Sequence, residues 1–419
     1  MIVDFAGPGS GTAPLTWGQA AIWQAIGNTA PDDHYFNFGR VLKVPGTRSV
    51  EDVTAALRAL VERHGALRTR LDDQGQRLEG SGRLPVVISR EKPDIVLDEL
   101  AATRFDYWAE WPIRVALVVD GSAVTHVVLV FCHLAADGIG AEAAIRDLRM
   151  LLLRGALTGP PPPQALDLAH WQAGPEGRAV AERAAAHWAE EYARIPTTMF
   201  AKPGPEPSDP PIWRAQLSSP ALDLAVRSLA LTHRASTSTV LLAAVAFLAA
   251  RVEGHGTCAV LPIVANRFRR DTIGLVSTMS MEGLFTVDVE GTFAEVLGRA
   301  GPAALRAYRS AYHDPADRDR IVARESSGRG ERVHPNCCFN DMRFADPGPA
   351  ACEPSALESA LKETALTWPM SQHELNCRFC VHVTTEGVSL TADTRFLSKP
   401  DIERYLMNLE SMLVSAVRT

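Results

Sequence analysis

The arrangement in this chain best suited to proton-transfer chemistry is the segment Cys132-His133-Leu134-Ala135-Ala136-Asp137-Gly138. Imidazole, with an unperturbed pKa of about 6.5, can take and return a proton around neutrality. Four residues on, Asp137 can pair with an arginine and fix the loop that shapes the imidazole's surroundings. Gly138 lets the backbone approach a substrate closely, and its N–H can face a developing oxyanion. Cys132 adds a second chemistry, a Cys–His dyad working through a covalent acyl-enzyme. Against it, adjacent residues at a strand end point to opposite faces, and an inward cysteine behaves as a small hydrophobe. Taken alone, H-x-x-x-D-G has many chance matches and equally fits a satisfied core histidine.

The elements that must hold this segment read as follows. Val124 to Cys132 alternates like a strand, and Ile113 to Val119 forms its hairpin partner across Asp120-Gly121. After Asp137-Gly138, the apolar stripe Ala141, Ile145, Leu148 and Leu152 predicts a helix ending at Gly155. Upstream, helices are expected over Thr16 to Ile26 and from Val50 to about His64. The second is introduced by Ser49, with Asp52 as a partial capping box. Gly159 and the four prolines at 160–163 read as a stiff interdomain connector. Beyond it, helices are expected at Glu176 to Ile195, Thr237 to Arg251 and from Ser398. A strand is expected at Cys258 to Ala265 and a hairpin over Arg378 to Asp393. The fold class is α/β (α+β), in two lobes of residues 1–165 and 166–419.

Composition narrows the function. The 419 residues are 46% hydrophobic with a net charge of −7, enough to bury large cores and unsuited to a phosphate-backbone partner. The cluster Arg267, Arg269 and Arg270 then reads as a solvated loop rather than a nucleic-acid patch. The longest apolar run, Val240 to Ala250, is far shorter than the ~20 residues of a membrane span and reads as a buried core helix. The start of the chain has no secretory pattern, and the seven cysteines form no regular framework, so a reduced cytoplasmic protein is expected. Cys337-Cys338 and Cys377-x-x-Cys380 invite zinc, but residues three apart on a strand face opposite sides, so no metal is expected.

Several stretches carry a family resemblance in their order. They are Leu15-Thr16-Trp17-Gly18-Gln19, Arg63-His64-Gly65-Ala66-Leu67-Arg68-Thr69, Trp111-Pro112-Ile113-Arg114 and the His133 segment. Further on come Thr239-Val240-Leu241-Leu242, Ile263-Val264-Ala265-Asn266-Arg267, Asn340-Asp341 and Leu390-Thr391-Ala392-Asp393-Thr394-Arg395-Phe396. Together they resemble the condensation domains of non-ribosomal peptide synthetases, a superfamily shared with chloramphenicol acetyltransferase and the polyketide-associated acyltransferases. The resemblance implies two acetyltransferase-like lobes forming a V, with His133 at the middle of a tunnel. An acyl thioester on the phosphopantetheine arm of a carrier protein would enter from one side, and an amine or alcohol acceptor from the other. No cofactor would be bound.

In that frame His133 removes the acceptor's proton or positions the acceptor, and both roles stay open. Asp137 matches a structural aspartate that pairs with an arginine, for which Arg68 is the candidate. Residues 263–285 would floor the tunnel, Thr367 to Met370 would mark a crossover, and Asn340 and Trp368 would line the passage. Cys132 stands where the family usually has its first histidine. Since Met1 is followed by a short lead and the chain stops at Thr419, a free-standing enzyme is expected; a monomer is expected as well. The alternatives are a transferase using acyl-CoA or polyketide acyl groups, and a non-catalytic module that recruits a partner.

Overall fold

The structure is a computed structural model that describes residues 1–204, 206–375 and 378–418. Its contacts divide the chain into two compact units. The first comprises Met1–Ala179 together with Ala265–Met281, and the second Val180–Val264 together with the chain from Glu282 onward. This corrects the expected division at residue 165. The proline run does not float between units, because the Gln164 side chain accepts a hydrogen bond from the Gly65 N–H at 2.6 Å and Arg63 donates to the Pro160 carbonyl at 3.0 Å. These bonds hold the run to the first unit.

The first unit contains β1 (Ile2–Ala6), β2 (Gly11–Ala13), α1 (Trp17–Thr29), β3 (Phe38–Lys43), α2 (Val50–Arg63), β4 (Thr69–Asp72), β5 (Gly75–Leu78) and β6 (Ser81–Ser89). It continues with α3 (Pro93–Ala101), β7 (Ile113–Asp120), β8 (Ala123–Phe131), α4 (Gly138–Arg154) and α5 (Ala165–Ala173). Its main sheet runs β1-β6-β7-β8-β3, with a small sheet β2-β5-β4 beside it. The expected hairpin is β7–β8, turned at Gly121 in the left-handed region at φ 59°. The capping box expected at Ser49 with Asp52 forms and starts α2, and a second one, Thr16 with Gln19, starts α1. The α4 stripe is buried at all four predicted positions and the helix stops at Gly155 (φ 73°). α2 and α4 are joined under the sheet by His64, whose Nε2 lies 3.0 Å from Asp147 Oδ2.

The second unit contains α6 (Pro175–Arg194, which begins in the first unit), β9 (Ile212–Ser218), α7 (Pro220–His233), α8 (Thr237–Glu253), β10 (Thr257–Val264), β11 (Met281–Glu282) and β12 (Phe285–Asp288). It closes with α9 (Phe293–Arg309), α10 (Pro315–Arg329), β13 (Cys337–Asp341), α11 (Pro354–Ala360), β14 (Ala365–Gln372), β15 (Phe379–Thr384), β16 (Gly387–Asp393) and α12 (Lys399–Arg418). The sheet order is β11-β10-β13-β15-β16-β9-β14, with β12 also on β10. Its apolar face packs on α7, α8, α9 and α12 in one large core. α8 is buried almost all round, as the run from Val240 suggested. No single helix among the described residues is long and apolar enough to cross a membrane.

Cys132, Cys258, Cys337, Cys338 and Cys352 are free thiols, whereas Cys380 is disulfide-bonded, which departs from the wholly reduced set expected. Cys377, the other half of the C-x-x-C motif, lies outside the described residues, so its strand placement is untested.

Two buried histidines set an acid limit on this fold. Burial pushes His313 down to about 3, with the Arg318 charge adding to it, and pushes His382 down to about 4, with Arg214 adding. In the unfolded chain both titrate at about 6.5. The unfolded state therefore takes up protons first as the pH falls. The stabilising contribution is complete above about pH 6.5 and is lost progressively below it. We predict a Tm that is level above about pH 7 and declines from about pH 6.5 to 5. The decline should be shallower in a His313→Leu variant; equal slopes in the two proteins would contradict this origin.

Candidate functional site

β8 ends at Phe131 and the chain leaves the sheet in a turn over residues 132–136. Neighbouring side chains on this exit diverge, as the strand geometry requires. Cys132 turns inward, 3% exposed, among Ile26, Leu71, Phe105, Tyr107, Val130 and Leu134. Burial pushes its thiol up to about 12, so it stays protonated at neutral pH and is a poor nucleophile. The expectation of packed filler rather than a Cys–His dyad holds.

His133 turns the other way. Its half-buried ring meets the edges of Phe36 at 6.3 Å and Phe38 at 5.3 Å, and Phe38 in turn stacks on Phe131. Nδ1 is sealed with no hydrogen-bond partner among the described residues. Burial lowers the imidazole pKa, against the opposing pull of its own backbone and of the Asp137 charge. The ring is therefore neutral at neutral pH and able to accept a proton. Its backbone is fixed too, because the Thr278 hydroxyl donates to the His133 carbonyl.

Asp137 is the N-cap of α4 and is 1% exposed. Oδ1 accepts from the Gly140 N–H at 2.8 Å and from Arg267 at 2.7 Å. Oδ2 accepts from the N–H groups of Met279 at 3.0 Å and Ser280 at 2.9 Å, and from the Ser280 hydroxyl at 2.9 Å. One carboxylate thus joins the start of α4 to the segment 265–281, the part of the chain that returns to the first unit. Arg267 also donates to the carbonyls of Leu275 and Ser277, which gives that segment its shape.

The pairing of Asp137 with Arg68 does not occur. Arg68 is 1% exposed, but its guanidinium donates to the carbonyls of Pro8 at 2.5 Å and Gly9 at 3.2 Å, and to that of Glu79. It ties the N-terminal loop to the strands that follow it. The arginine on Asp137 is Arg267, whose side chain is 6% exposed. This also corrects the reading of Arg267, Arg269 and Arg270 as one solvated cluster, since Arg269 and Arg270 are exposed and Arg267 is not.

Two glycines make room for the returning segment. A Cβ on Gly18 would lie 2.2 Å from the Thr278 carbonyl oxygen, and one on Gly140 would lie 2.9 Å from that of Ser277. Gly138 is the first residue of α4, where backbone N–H groups have no acceptor within the helix.

The remaining sequence-derived positions belong to the second unit. Asn340 is on β13, opposite His382 of β15. Trp368 is on the edge strand β14, which pairs with β9. Its ring lies edge-on to Trp213 at 6.0 Å, with the Lys399 ammonium 4.8 Å away. Among the described residues no group of three or more His, Cys, Asp or Glu is placed to hold a metal. Sequence reasoning missed Phe36, Phe38, Arg267, Thr278 and Ser280. The alternating aromatics in Phe36-Asn37-Phe38 and the arginine in the quoted Ile263 to Arg267 stretch were the available signals.

Comparison with known proteins agrees with this geometry. Residues 10–312 match the family model described as the condensation domain. A "probable non-canonical nonribosomal peptide synthetase", CymA of Salinispora arenicola, is 29% identical over 322 residues, which cover 70% of this chain and 4% of that protein. Among solved structures, the condensation domain of the monacolin K polyketide synthase MokA superposes with a TM-score of 0.73 at 16% identity. The match covers 99% of this chain and 98% of that one. The X-domain of teicoplanin biosynthesis, solved with OxyB, gives 0.72 at 16% identity over 99% and 95%. At these identities the structural likeness concerns the fold.

The Asp137–Arg267 pair is buried, so removing either partner leaves an uncompensated charge. Asp137→Ala and Arg267→Ala should each cost about 3–5 kcal/mol in urea unfolding. The double variant should cost far less than their sum. Arg68→Ala should also destabilise, but it shares no partner with Asp137, so its effect should add to that of Asp137→Ala within about 0.5 kcal/mol. Strong coupling between positions 68 and 137 would contradict this assignment.

Proposed function

The chain belongs to the condensation-domain family, and from that premise we propose that it is an acyltransferase forming an amide or ester bond in natural-product assembly of the non-ribosomal peptide type. The donor is an acyl thioester on the phosphopantetheine arm of a carrier protein, and the acceptor is an amine or alcohol. The chain spans about 4% of the length of the synthetase noted above, so donor, acceptor and carrier are part of the proposal.

The observation that carries the reading is His133. Its imidazole is neutral and half-buried, flanked by Phe36 and Phe38, and its backbone is held by Thr278. The acceptor's lone pair attacks the thioester carbonyl while the imidazole orients the acceptor and takes its proton. The C–N or C–O bond forms and the C–S bond breaks. The thiolate then leaves and recovers the proton from the imidazolium. Holding both reactants in place lowers the barrier by up to about 7–11 kcal/mol, so a large part of the catalysis rests on geometry and only part on the base. Backbone N–H groups at the start of α4, Gly138 among them, are suited to the charge that develops on the carbonyl oxygen. Asp137 keeps that helix end and the segment 265–281 together, and so acts as a positioning residue.

The test is turnover of the purified chain with one amine and matched donors, an acyl-carrier thioester and the same acyl group on CoA. We expect the carrier thioester to be preferred, and equal use of CoA would favour an acyl-CoA transferase. His133→Ala should lower kcat/KM by about 10²–10⁴, while Cys132→Ala should keep most activity. Turnover that survives His133→Ala, or an acyl group found on Cys132 by intact mass, would overturn the assignment of roles. A wild type that binds a carrier without turnover would point instead to a recruiting module. Because burial lowers the His133 pKa, the base remains neutral somewhat below pH 6.5. The acid limb of kcat/KM should therefore fall below about 6.5.

A further inference from the structure

The first unit carries a cleft of about 360 Å³ whose lining includes Cys132 but not His133. All of its lining residues lie between Gln19 and Ala135, inside that unit. Leu71, Phe105, Pro112 and Leu134 supply apolar wall. Most of the polar side chains around it are already engaged. Gln19 donates to Gln76 Oε1 at 3.2 Å, and Gln76 donates to the Pro14 carbonyl at 3.0 Å. The Thr69 hydroxyl donates to the Gly65 carbonyl at 2.8 Å, and that of Tyr107 to Asp33. Asp106 accepts from the N–H groups of Trp108 and Ala109, both at 3.0 Å. Glu110 accepts from two nitrogens of Arg114 at 2.7 and 3.1 Å.

Arg70, which also lines the cleft, is different. Its guanidinium lies over Trp111, 3.6 Å from the ring centroid. Such a contact uses the face of the guanidinium and leaves its N–H edge unbonded. Nε is sealed from solvent and has no hydrogen-bond partner among the described residues. No carboxylate pairs with this cation. Glu79 and Asp106 act on it only at a distance, and Glu79 is taken by Arg77 at 3.0 Å. Arg77 stands directly opposite Arg70 across β4 and β5, and like charges so placed repel. Burial also disfavours the charged form of Arg70, yet a guanidinium stays protonated at neutral pH. The fold thus holds a poorly solvated cation at the wall of a cleft and gives it no counter-ion. A planar fork of donors matches a carboxylate in two parallel bonds. One charged anchor among apolar walls is how a small-molecule site fixes orientation.

We propose that this cleft binds a small monocarboxylate, its carboxylate held by the Arg70 guanidinium and its short aliphatic chain against Leu71, Phe105 and Leu134. Asp106 and Glu110 on the same lining favour a single negative charge over a dianion such as phosphate.

Propionate, its neutral analogue propionamide and inorganic phosphate test it, each titrated calorimetrically against the full chain at constant ionic strength. We expect propionate to bind at least ten-fold more tightly than either of the others. Arg70→Leu should erase that preference. Arg70→Lys should reduce it several-fold, because an ammonium keeps the charge without the fork; it also keeps a cation over Trp111 and serves if the leucine variant fails to fold. Equal affinity for propionate and propionamide, or none for either, would falsify the proposal. Phosphate bound as tightly as propionate would overturn the monocarboxylate assignment. A preference that persists in both Arg70 variants would place the anion on another cation and overturn the site. None of the probes is a thioester and the titration needs no turnover, so its result is independent of the catalytic test.

Discussion

The first unit depends on a single carboxylate. Asp137 accepts from three backbone N–H groups, one hydroxyl and one guanidinium, and is almost fully enclosed. A buried charge is tolerable only when it is paired and its lone pairs are filled, and here both conditions are met. The donors come from two places far apart in sequence: the first turn of α4, and the segment 265–281 that leaves the second unit. The Asp137 N–H to the Ser277 carbonyl and the Thr278 hydroxyl to the His133 carbonyl are further bonds between the two parts, but the carboxylate gathers the largest set of donors and anchors the loop that holds the His133 carbonyl. The tight approach at Gly18 and Gly140 is the steric counterpart of the same bond network.

This use of the aspartate bears on the imidazole. In a triad the carboxylate bonds to the histidine and sets its tautomer. Here the Asp137 oxygens are occupied elsewhere, and His133 Nδ1 has no partner among the described residues. The carboxylate acts on the ring only as a distant charge, and burial outweighs it. What holds the ring is aromatic packing against Phe36 and Phe38 and the fixed backbone beneath. The histidine is thus positioned by packing more than by hydrogen bonds, consistent with chemistry in which orienting the reactants matters as much as moving a proton.

Local rules made much of this legible from sequence. The cap at Ser49, the β7–β8 hairpin, the stripe of α4, the stop at Gly155 and the buried α8 all follow from periodicity and turn chemistry acting over a few residues. So did the opposite facing of Cys132 and His133. What failed was long-range. Arg68 and Arg267 are both arginines in ordered stretches, and nothing local distinguishes one bound to backbone carbonyls from one bound to a carboxylate 130 residues away. The proline run looked like a linker because its stiffness is local, whereas its attachment through Gln164 is not.

The return of residues 265–281 to the first unit has a consequence for modularity. No single cut in the chain releases a first unit that still owns Arg267, Thr278 and Ser280. A fragment ending at Ala179 would carry Asp137 as an enclosed anion with its guanidinium missing. Swapping one half between relatives would join an aspartate from one parent to an arginine loop from another. Exchange of parts, whether by recombination or by design, must then carry the two segments as one inheritance, with a crossover on each side of 265–281.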